Sequence, residues 1–583
     1  MMGAPAMSDR VEYDVLLIGG SPSNLILAHH LVDLAIESGT AFTFGLLEKG
    51  KTFGAHIVSG AVSNPRVLKK VFPKLEQTDF PLEGICREST FSVLGSENVW
   101  HVPRPLMPDG VKKEGYYILT LSHVVQWLQE QLEAKVNAAE NIHADFFPAF
   151  AAHQIVYEDD RVVGVQVVEQ AAGSPDEENI YGRVVCFGDK GFLSRDLIAK
   201  YNLRDNPQKW SVGVKEVWEL PKERDFSGQV WHTMGYPLVD GTFGGGFVYG
   251  MKDHKLTIGL IASLDSANPN INPQERLQDL KKHPWLQDMI KGGKLLKYGA
   301  ALLPEGGYYS LPKQFQVDGA LMLGDALGVL DVSCLSGVDK AMETGYIAAE
   351  VLHEILKAGG DFTASAMAGF QRQVMDGFVG QELKKGRYFR EAWAENPRLL
   401  GQYLPEVLAG IDGSSPYVGL ISVGLKNNPF TAMGDALRLK GMIEGTQDIG
   451  ALHYKPDYQH IVPNFKITPL RTAAYDAETI VSRPDAVFYA DPKYHEGSMH
   501  IDEFNADVCV QCIATYESLD RATPCVSDCT AEVHRVDEVQ GLHKHGMSLE
   551  NCVQCRTCEI VCPEVNLKVR PAENGSGPDF TGL

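Results

Sequence analysis

The 583-residue sequence predicts an α/β protein with three parts: a Rossmann-like nucleotide-binding domain, a β-rich domain and a C-terminal cysteine-rich domain. Three observations support this fold class. An apolar run at 15–18 leads through a glycine turn into a segment with helical periodicity. A second apolar run, at 320–323, ends in Gly-Asp before another helical segment. Eight of the eleven cysteines lie between Cys509 and Cys562.

Charge and hydropathy exclude several functional classes. The formal net charge of −22 argues against nucleic-acid binding. No uncharged apolar run reaches the roughly 18 residues of a transmembrane helix. Residues 1–15 show neither an apolar signal core nor an Arg-rich transit pattern. We therefore expect a cytoplasmic protein that lies peripherally on the inner face of the cell membrane.

The N-terminal segment has the layout of a dinucleotide-binding unit. Residues 12–24 read EYDVLLIGGSPSN, and Pro22 suits the first turn of a helix. A second apolar stretch, at 42–47, ends at Glu48. The order strand, glycine turn, helix, strand and acidic residue is typical of a βαβ nucleotide site.

The glycine fingerprint of this unit is altered. The pattern G-x-G-x-x-G would place glycine at three positions where the chain has Gly19, Ser21 and Asn24. Gly19 still permits the tight turn, and Ser21 is small enough for a pyrophosphate to approach. Asn24 fits worst, because the third glycine lets the helix pack closely on the strand. Glu48 is placed to accept the ribose hydroxyls; the alternative is a packing turn with Glu48 at an exposed strand end.

The Gly324-Asp325 pair indicates which nucleotide is bound. In FAD proteins of the glutathione-reductase type, the aspartate of such a pair binds the ribitol chain, and the next helix points its N-terminus at the flavin. A domain separates this pair from the first βαβ unit, which is the FAD arrangement and not one that NAD needs. The predicted FAD-binding residues are Gly19, Ser21, Asn24, Glu48, Gly324 and Asp325.

The clustered cysteines form two runs. The later run is C-x₂-C-x₂-C-x₃-C followed by Pro563, the bacterial ferredoxin pattern, and the earlier run has the same order with an insertion. In two-cluster ferredoxins the fourth cysteine of each run ligates the other cluster. This rule predicts two [4Fe–4S] clusters, the first on Cys529, Cys552, Cys555 and Cys558 and the second on Cys509, Cys512, Cys525 and Cys562.

Two zinc sites are the alternative for these cysteines. Zinc ribbons use two separated C-x₂-C pairs, and the tight C-x₂-C-x₂-C run argues against them. The scattered Cys86, Cys186 and Cys334 are interpreted as core thiols.

Six segments resemble a known family. They are GAHIVSGAVSNPRVLKKVFP (54–73), VGVKEVWELP (212–221), WHTMGYPL (231–238), GGGFVYG (244–250), HPWLQDMIKGGKLLKYGAALLPEGGYYSLPK (283–313) and NCVQCRTCEI (551–560). Over most of its length the chain is similar to the electron-transfer-flavoprotein:quinone (ubiquinone) oxidoreductases. The resemblance implies an enzyme, an electron-transferring-flavoprotein dehydrogenase. It would pass electrons from reduced electron-transfer flavoprotein through FAD and a [4Fe–4S] cluster to a membrane quinone, ubiquinone or menaquinone.

The resemblance also implies a quinone site. The family's glycine pair before F-x-Y lines the quinone pocket, and here that pair falls on Gly244 and Gly245. A simple turn is the alternative. His232, nearby in the sequence, is interpreted as a hydrogen-bonded core histidine.

The chain departs from the family in three places. The family normally has an intact glycine fingerprint. It has one cluster, matching the first predicted set, and its position equivalent to Cys562 is usually not cysteine. Its membrane-dipping region is also more apolar than the single run at 416–425, which either rests in a bilayer interface or is a core segment.

The expected organisation follows from these motifs. The FAD-binding domain takes 1–75, 121–200 and 311–360; the quinone or substrate domain takes 76–120 and 201–310; a mostly helical region with a candidate membrane contact takes 361–480; and a ferredoxin-like domain takes 485–583. Two other functions stay open. One is a flavin and iron–sulfur relay subunit of a larger, bifurcating complex, and the other is a flavoenzyme resembling polyprenyl reductases.

Overall fold

The structure is a computed structural model. It describes residues 12–59, 61–171, 174–191, 193–394, 396, 399, 403–413, 416–426, 428–443, 454–467, 469–475, 505–569, 571, 575 and 577–583. The expectation that no leader precedes the first domain concerns residues outside these ranges.

Strands and helices alternate through the first 360 residues, and helices dominate the next 80. The strands are β1 Glu12–Ile18, β2 Phe42–Glu48, β3 Ala61–Ser63, β4 Leu82–Ile85, β5 Glu88–Leu94, β6 Val99–His101, β7 Tyr117–Leu119, β8 Ile142–Pro148, β9 Ala152–Glu158, β10 Arg161–Ala171, β11 Ser174–Phe187, β12 Trp210–Glu219, β13 Gln229–Gly235, β14 Gly244–Gly250, β15 Lys255–Ser263, β16 Lys294–Pro304, β17 Gln316–Val317, β18 Ala320–Met322, β19 His534–Val539 and β20 Leu542–Met547. The helices are α1 Pro22–Ser38, α2 Arg66–Val71, α3 Leu121–Asn137, α4 Leu193–Lys200, α5 Pro273–Lys282, α6 Pro284–Ile290, α7 Val338–Lys357, α8 Ala368–Asp376, α9 Phe378–Gly386, α10 Phe389–Ala394, α11 Leu404–Gly413, α12 Pro416–Lys426, α13 Pro429–Ile443, α14 Ala506–Glu517, α15 Pro524–Ser527 and α16 Thr557–Val561.

The first sheet is the nucleotide-binding sheet that the sequence predicts. Its order is β17-β18-β11-β1-β2-β8, and β18, β11, β1, β2 and β8 run parallel. Parallel strands are buried on both faces by helices, which explains the continuous apolar runs. Helix α1 lies against α7 so closely that a Cβ on Gly345 would stand 2.0 Å from the backbone oxygen of Ser23. The predicted α/β class is confirmed.

The second sheet has seven strands in the order β16-β12-β15-β14-β13-β5-β6. Its strands β12 to β16 come from one continuous stretch, whereas β5 and β6 come from the segment before α3. Strands β4 and β7 pair instead with β3 in a separate three-stranded sheet. The β-rich layer is therefore assembled from two distant parts of the chain, as the interrupted order of the sequence motifs suggests.

The cysteine-rich region packs against both sheets. Helix α14 contacts β20, α15 contacts β19, and α16 packs against α15. The glycine- and proline-rich composition of the last residues suggests a loose tail, but that expectation is wrong for 577–583. Phe580 and Leu583 are buried, and the Phe580 N–H donates to the oxygen of Ala55 at 2.6 Å. Among the described helices, none combines the length and hydropathy needed to cross a bilayer.

Candidate functional site

The glycine turn after β1 opens the first site. Gly19 has φ +91°, a left-handed conformation that favours glycine, and its N–H donates to the oxygen of Leu47 at 2.8 Å. Ser21 caps α1, because its Oγ accepts from the Asn24 N–H at 3.4 Å. The turn therefore presents the N-terminus of a long helix, which suits a phosphate group.

Asn24 explains how the altered fingerprint still closes. Its side chain is fully buried, and Nδ2 donates to the oxygens of Ile18 and Gly19, both at 2.9 Å. In this chain, Gly188 provides the space that the third glycine of the fingerprint would provide. A Cβ on Gly188 would stand 2.6 Å from Asn24 Nδ2, so the Asn24 side chain fits only because Gly188 has none. Asn24 thus shapes the turn by holding its backbone.

Glu48 lies against the same turn. Its Oε2 accepts from the Gly20 N–H at 2.9 Å, and its Oε1 accepts from the Gly50 N–H at 2.6 Å. Burial raises the pKa of this carboxyl, and the two N–H groups oppose the shift. A carboxylate offers about four acceptor positions, so two remain for hydroxyl groups of a ribose. The alternative of an exposed strand end is wrong, since Glu48 is 7% exposed.

The Gly324-Asp325 pair meets the first turn in space. Gly324 has φ +53°, and a Cβ there would stand 3.0 Å from Ser23 Oγ on α1. Burial raises the pKa of Asp325, and Lys190 on the turn after β11 opposes the shift. Among the described residues no hydrogen bond to the Asp325 carboxyl is formed, so its oxygens are available to a ligand. These donors and acceptors fit the ribose, pyrophosphate and ribitol of FAD.

The cysteines predicted for the first cluster lie together. Cys529 Sγ accepts from the Val533 N–H, and Cys552 Sγ accepts from the Gln554 N–H, both at 3.2 Å. Burial raises the pKa of Cys558 strongly, and the neighbouring thiols of Cys555, Cys529 and Cys552 add to the shift. Backbone N–H groups aimed at sulfur are what a cluster held by thiolates requires.

The cysteines predicted for the second cluster also lie together. Asn566 joins the first and last of them, because its N–H donates to Cys562 Sγ at 3.3 Å and its Nδ2 donates to Cys509 Sγ at 3.2 Å. Burial raises the pKa of Cys525 to about 12, and the thiols of Cys562, Cys512 and Cys509 add to the shift.

The spacing of these sulfurs differs from that of a zinc site. Zinc binds thiolate at about 2.3 Å, so four tetrahedral ligands lie about 3.8 Å apart. Within the described residues, no three of the eight clustered cysteine sulfurs lie within 4.8 Å of one another.

The cysteine region touches the nucleotide turns directly. Lys49, next to Glu48, donates from Nζ to Gln554 Oε1 at 3.3 Å and interacts electrostatically with Cys552. Arg556 Nη1 donates to the oxygen of Gly191 at 3.0 Å. We did not predict a role for Lys49, Lys190 or Arg556 from the sequence. For Lys49, its position next to Glu48, the predicted ribose ligand, could have indicated a role near the nucleotide.

Gly244 and Gly245 lie in β14 and not in a turn. A Cβ on Gly244 would stand 2.1 Å from the oxygen of Ile261, and one on Gly245 would stand 2.0 Å from the oxygen of Thr233. Close packing of neighbouring strands therefore requires glycine at both positions. Their contact with a quinone stays a prediction. His232 is buried on the adjacent strand, and burial lowers its pKa, as expected of a core histidine. The expected hydrogen bond is not formed at Nδ1, which has no partner among the described residues.

The apolar run at 416–425 forms α12, and the interpretation as a core segment is wrong. With α13 it presents an apolar face whose side chains are mostly more than half exposed. We call this the α12–α13 face, and it comprises Tyr417, Val418, Leu420, Ile421, Leu425, Phe430, Met433 and Leu437.

Comparison with known proteins shows which proteins this chain is similar to. A family model described as "ETF-QO, ubiquinone-binding" matches residues 210–303, from the start of β12 almost to the end of β16. The electron transfer flavoprotein-ubiquinone oxidoreductase of Pseudomonas aeruginosa is 28% identical over 98% of this chain and 99% of its own length. Over nearly its whole length the chain is similar to these oxidoreductases. The resemblance recognised from the sequence is confirmed.

Other members of this family show the same extent of similarity. The mitochondrial electron transfer flavoprotein-ubiquinone oxidoreductase of Arabidopsis thaliana is 29% identical over 100% of this chain and 86% of its own length. A solved structure of a geranylgeranyl bacteriochlorophyll reductase-like protein from Thermoplasma acidophilum has a TM-score of 0.53 at 14% identity, covering 71% of this chain and 96% of that chain. This second likeness concerns the fold alone.

Proposed function

We propose that the chain is an electron-transferring-flavoprotein dehydrogenase, which oxidises reduced electron-transfer flavoprotein and reduces a membrane quinone. The main support is the full-length similarity to electron transfer flavoprotein-ubiquinone oxidoreductases, with the ubiquinone-binding family model on β12–β16. The quinone is ubiquinone or menaquinone, and it binds beside Gly244 and Gly245.

FAD is the proposed nucleotide. Gly19 and Ser21 at the N-terminus of α1 would hold its pyrophosphate, Glu48 its ribose, and Asp325 its ribitol. Asn24 and Gly324 keep the two turns in place. When bound, FAD accepts two electrons and releases them singly. The chain orients it and excludes water from it, with Lys49 as a fixed positive charge between the nucleotide turn and the cysteine region.

Two [4Fe–4S] clusters are proposed in a ferredoxin-like region. The first would be held by Cys529, Cys552, Cys555 and Cys558 and the second by Cys509, Cys512, Cys525 and Cys562. The contact of Lys49 with Gln554 and the contact of Arg556 with Gly191 support the first set as the one beside the flavin.

The proposal of a second cluster predicts how much iron the protein loses when one of its ligands is removed. Cys512→Ala is expected to lower the iron content by about half, because one of two four-iron clusters loses a ligand, and to leave the FAD content unchanged. Iron and flavin analysis of purified protein tests this. The matched control is Cys86→Ala, which removes a buried thiol whose Sγ donates to the Glu88 oxygen and which lies outside both cysteine sets. Iron at the wild-type level in the Cys512 variant would contradict a second cluster.

The α12–α13 face is the proposed contact with the inner face of the cell membrane. An apolar face of a surface helix binds at a bilayer interface, and a charge placed on it weakens that binding. Leu425→Glu is expected to lower co-sedimentation with phosphatidylethanolamine/phosphatidylglycerol vesicles by about tenfold or more. Activity with a short-chain quinone should be unchanged. Leu542→Glu, at an exposed leucine on β20, is the control, and equal effects of both changes would count against this face.

One anaerobic assay tests the proposed function. Photoreduced electron-transfer flavoprotein is mixed with the purified protein and a short-chain quinone, and the quinone absorbance is followed. Loss of quinone that requires both proteins supports the proposal. Oxidised quinone that persists beside reduced flavin and clusters would overturn it and would favour a relay subunit.

A further inference from the structure

Five charged side chains are gathered at one end of the second sheet. Lys209 precedes β12, Asp265 follows β15, Glu305 follows β16, Arg390 lies on α10, and Asp457 lies in a later segment. All five are mostly buried, with at most 21% of each side chain exposed. We call these five residues the charged network.

The network is continuous. Arg390 donates from Nη1 to Glu305 Oε2 at 2.7 Å and from Nη2 to Asp265 Oδ1 at 2.9 Å. Lys209 Nζ lies 3.7 Å from Asp265 Oδ2 and 3.6 Å from Asp457 Oδ1. Glu305 also accepts from the hydroxyl of Ser211.

The network contains one more carboxyl group than it has cations. His460 does not restore the balance: its Nε2 lies 2.8 Å from Lys209 Nζ and accepts from it, and burial lowers the His460 pKa to about 4. A buried carboxylate without a counter-charge retains a proton. Burial raises the pKa of Asp457 to about 7, with Asp265 adding to the shift, and burial raises the pKa of Glu305. Among the described residues, the other titratable or charged groups around the network include Lys455, Tyr454, Tyr308, Tyr309, Glu391, Arg387 and Asp331.

The network lies between the loop that follows Gly324-Asp325 and the residue that precedes the glycine pair. Glu305 lines a cavity of about 20 Å³, which is room for a water molecule, and the facing wall contains Asp331 and Ser333 from the loop after Gly324-Asp325. On its other side Arg390 contacts the Ser263 hydroxyl and lies 5.2 Å from the ring of Phe243. Phe243 directly precedes the glycine pair of the proposed quinone site.

We propose that the charged network supplies the protons consumed in quinone reduction, with Glu305 releasing protons toward Phe243 and the glycine pair. The inference rests on the proposed function. Two electrons from reduced electron-transfer flavoprotein convert the two carbonyl groups of the quinone to hydroxyl groups, and each oxygen gains one proton. The protons leave Glu305 one at a time, and water in the cavity on its other side restores each of them. Asp457, Lys209, Asp265 and Arg390 are positioning residues that set how firmly the network holds its proton.

The test compares an acceptor that takes protons with one that takes none. Holoenzyme carrying Glu305→Gln or Asp457→Asn is assayed with reduced electron-transfer flavoprotein, using a short-chain ubiquinone or the ferricenium ion. In the wild type, quinone reduction should slow as pH rises through the pKa of Glu305, which burial raises above the ordinary carboxyl value, because Glu305 loses the proton it delivers. Glu305→Gln should lower quinone reduction by about tenfold or more and abolish this pH dependence. Ferricenium reduction should stay within about twofold, because no proton is transferred.

Controls keep the outcomes distinct. The control Glu216→Gln removes a buried carboxylate on β12, outside the network. Glu216 accepts a hydrogen bond from Lys281 Nζ at 2.9 Å. The variant should leave the rates with both acceptors unchanged. Glu305→Asp should restore the pH dependence in part. A Glu305→Gln variant with the wild-type rate and pH profile, or with both acceptors slowed equally, would overturn the relay. A wild type that reduces ferricenium but not quinone would overturn the proposed function itself.

Discussion

Replacing Cys555 with alanine is expected to abolish quinone reduction by reduced electron-transfer flavoprotein while FAD remains bound. Cys555 is the central cysteine of the C-x₂-C-x₂-C run, and its Sγ lies 3.4 Å from Thr530 Oγ1 and 3.3 Å from Thr557 Oγ1. Its loss would leave three thiolates for a group that needs four ligands. The first cluster would not assemble, and the electron route beside the flavin would be interrupted.

The measurement is the anaerobic quinone assay, with flavin and iron analysis of the same samples. Cys86→Ala, which removes a buried thiol outside both cysteine sets, should behave as wild type. The flavin content should not change, because the residues proposed to hold FAD lie on other segments. Quinone reduction at the wild-type rate by iron-depleted Cys555→Ala protein would remove the first cluster from the electron route.

Asp325→Asn is expected to weaken FAD binding by about 10- to 100-fold, the value of one or two hydrogen bonds to a charged group. The carboxyl forms no hydrogen bond with the described residues, so its role is expected toward the ligand. The measurement is the dissociation constant of FAD for deflavinated protein. Asp205→Asn, at an exposed carboxylate paired with Lys313 at 3.0 Å, controls for the change in net charge.

In the flavin-free protein, Asp325→Asn should leave the stability equal or higher, although the same change weakens FAD binding. Because burial raises the folded-state pKa of Asp325, the folded state holds more protons than the unfolded state. Its contribution to stability is therefore lost as pH rises from the ordinary aspartate value through the raised pKa. Asp325→Asn removes this pH-dependent loss of stability. The flavin-free variant should therefore unfold at neutral pH at a temperature equal to or higher than that of the flavin-free wild type. A lower unfolding temperature would assign Asp325 a structural role.

Local patterns were sufficient for the nucleotide unit. The apolar run at 15–18, Pro22 and the stretch ending at Glu48 each depend on neighbours within a few residues, and β1, α1 and β2 begin and end close to the predicted positions. The order of the cysteines also predicted that Cys509 and Cys562 belong to one set. In the structure, Asn566 contacts the sulfurs of both. Short spacing restricts which sulfurs can face one another.

Other features depended on residues far apart in the chain. Asn24 replaces the third glycine only because Gly188, which directly follows a strand distant in sequence, lacks a side chain. The hydropathy of the run at 416–425 did not reveal whether it is buried, because burial depends on which elements cover α12. The packed tail was missed for the same reason.

The sequence by itself determined the α/β class and predicted the two nucleotide turns and the two cysteine sets, because each is encoded in periodicity or in spacing over short distances. The resemblance to the family came from six longer segments. Only the tertiary structure decided that the cysteine region touches the nucleotide turns and that the charged network forms. The Lys49–Gln554 contact spans 505 residues, and the network draws on five separate segments. No local pattern encodes such contacts, because they exist only once the packing of both sheets has brought the segments together.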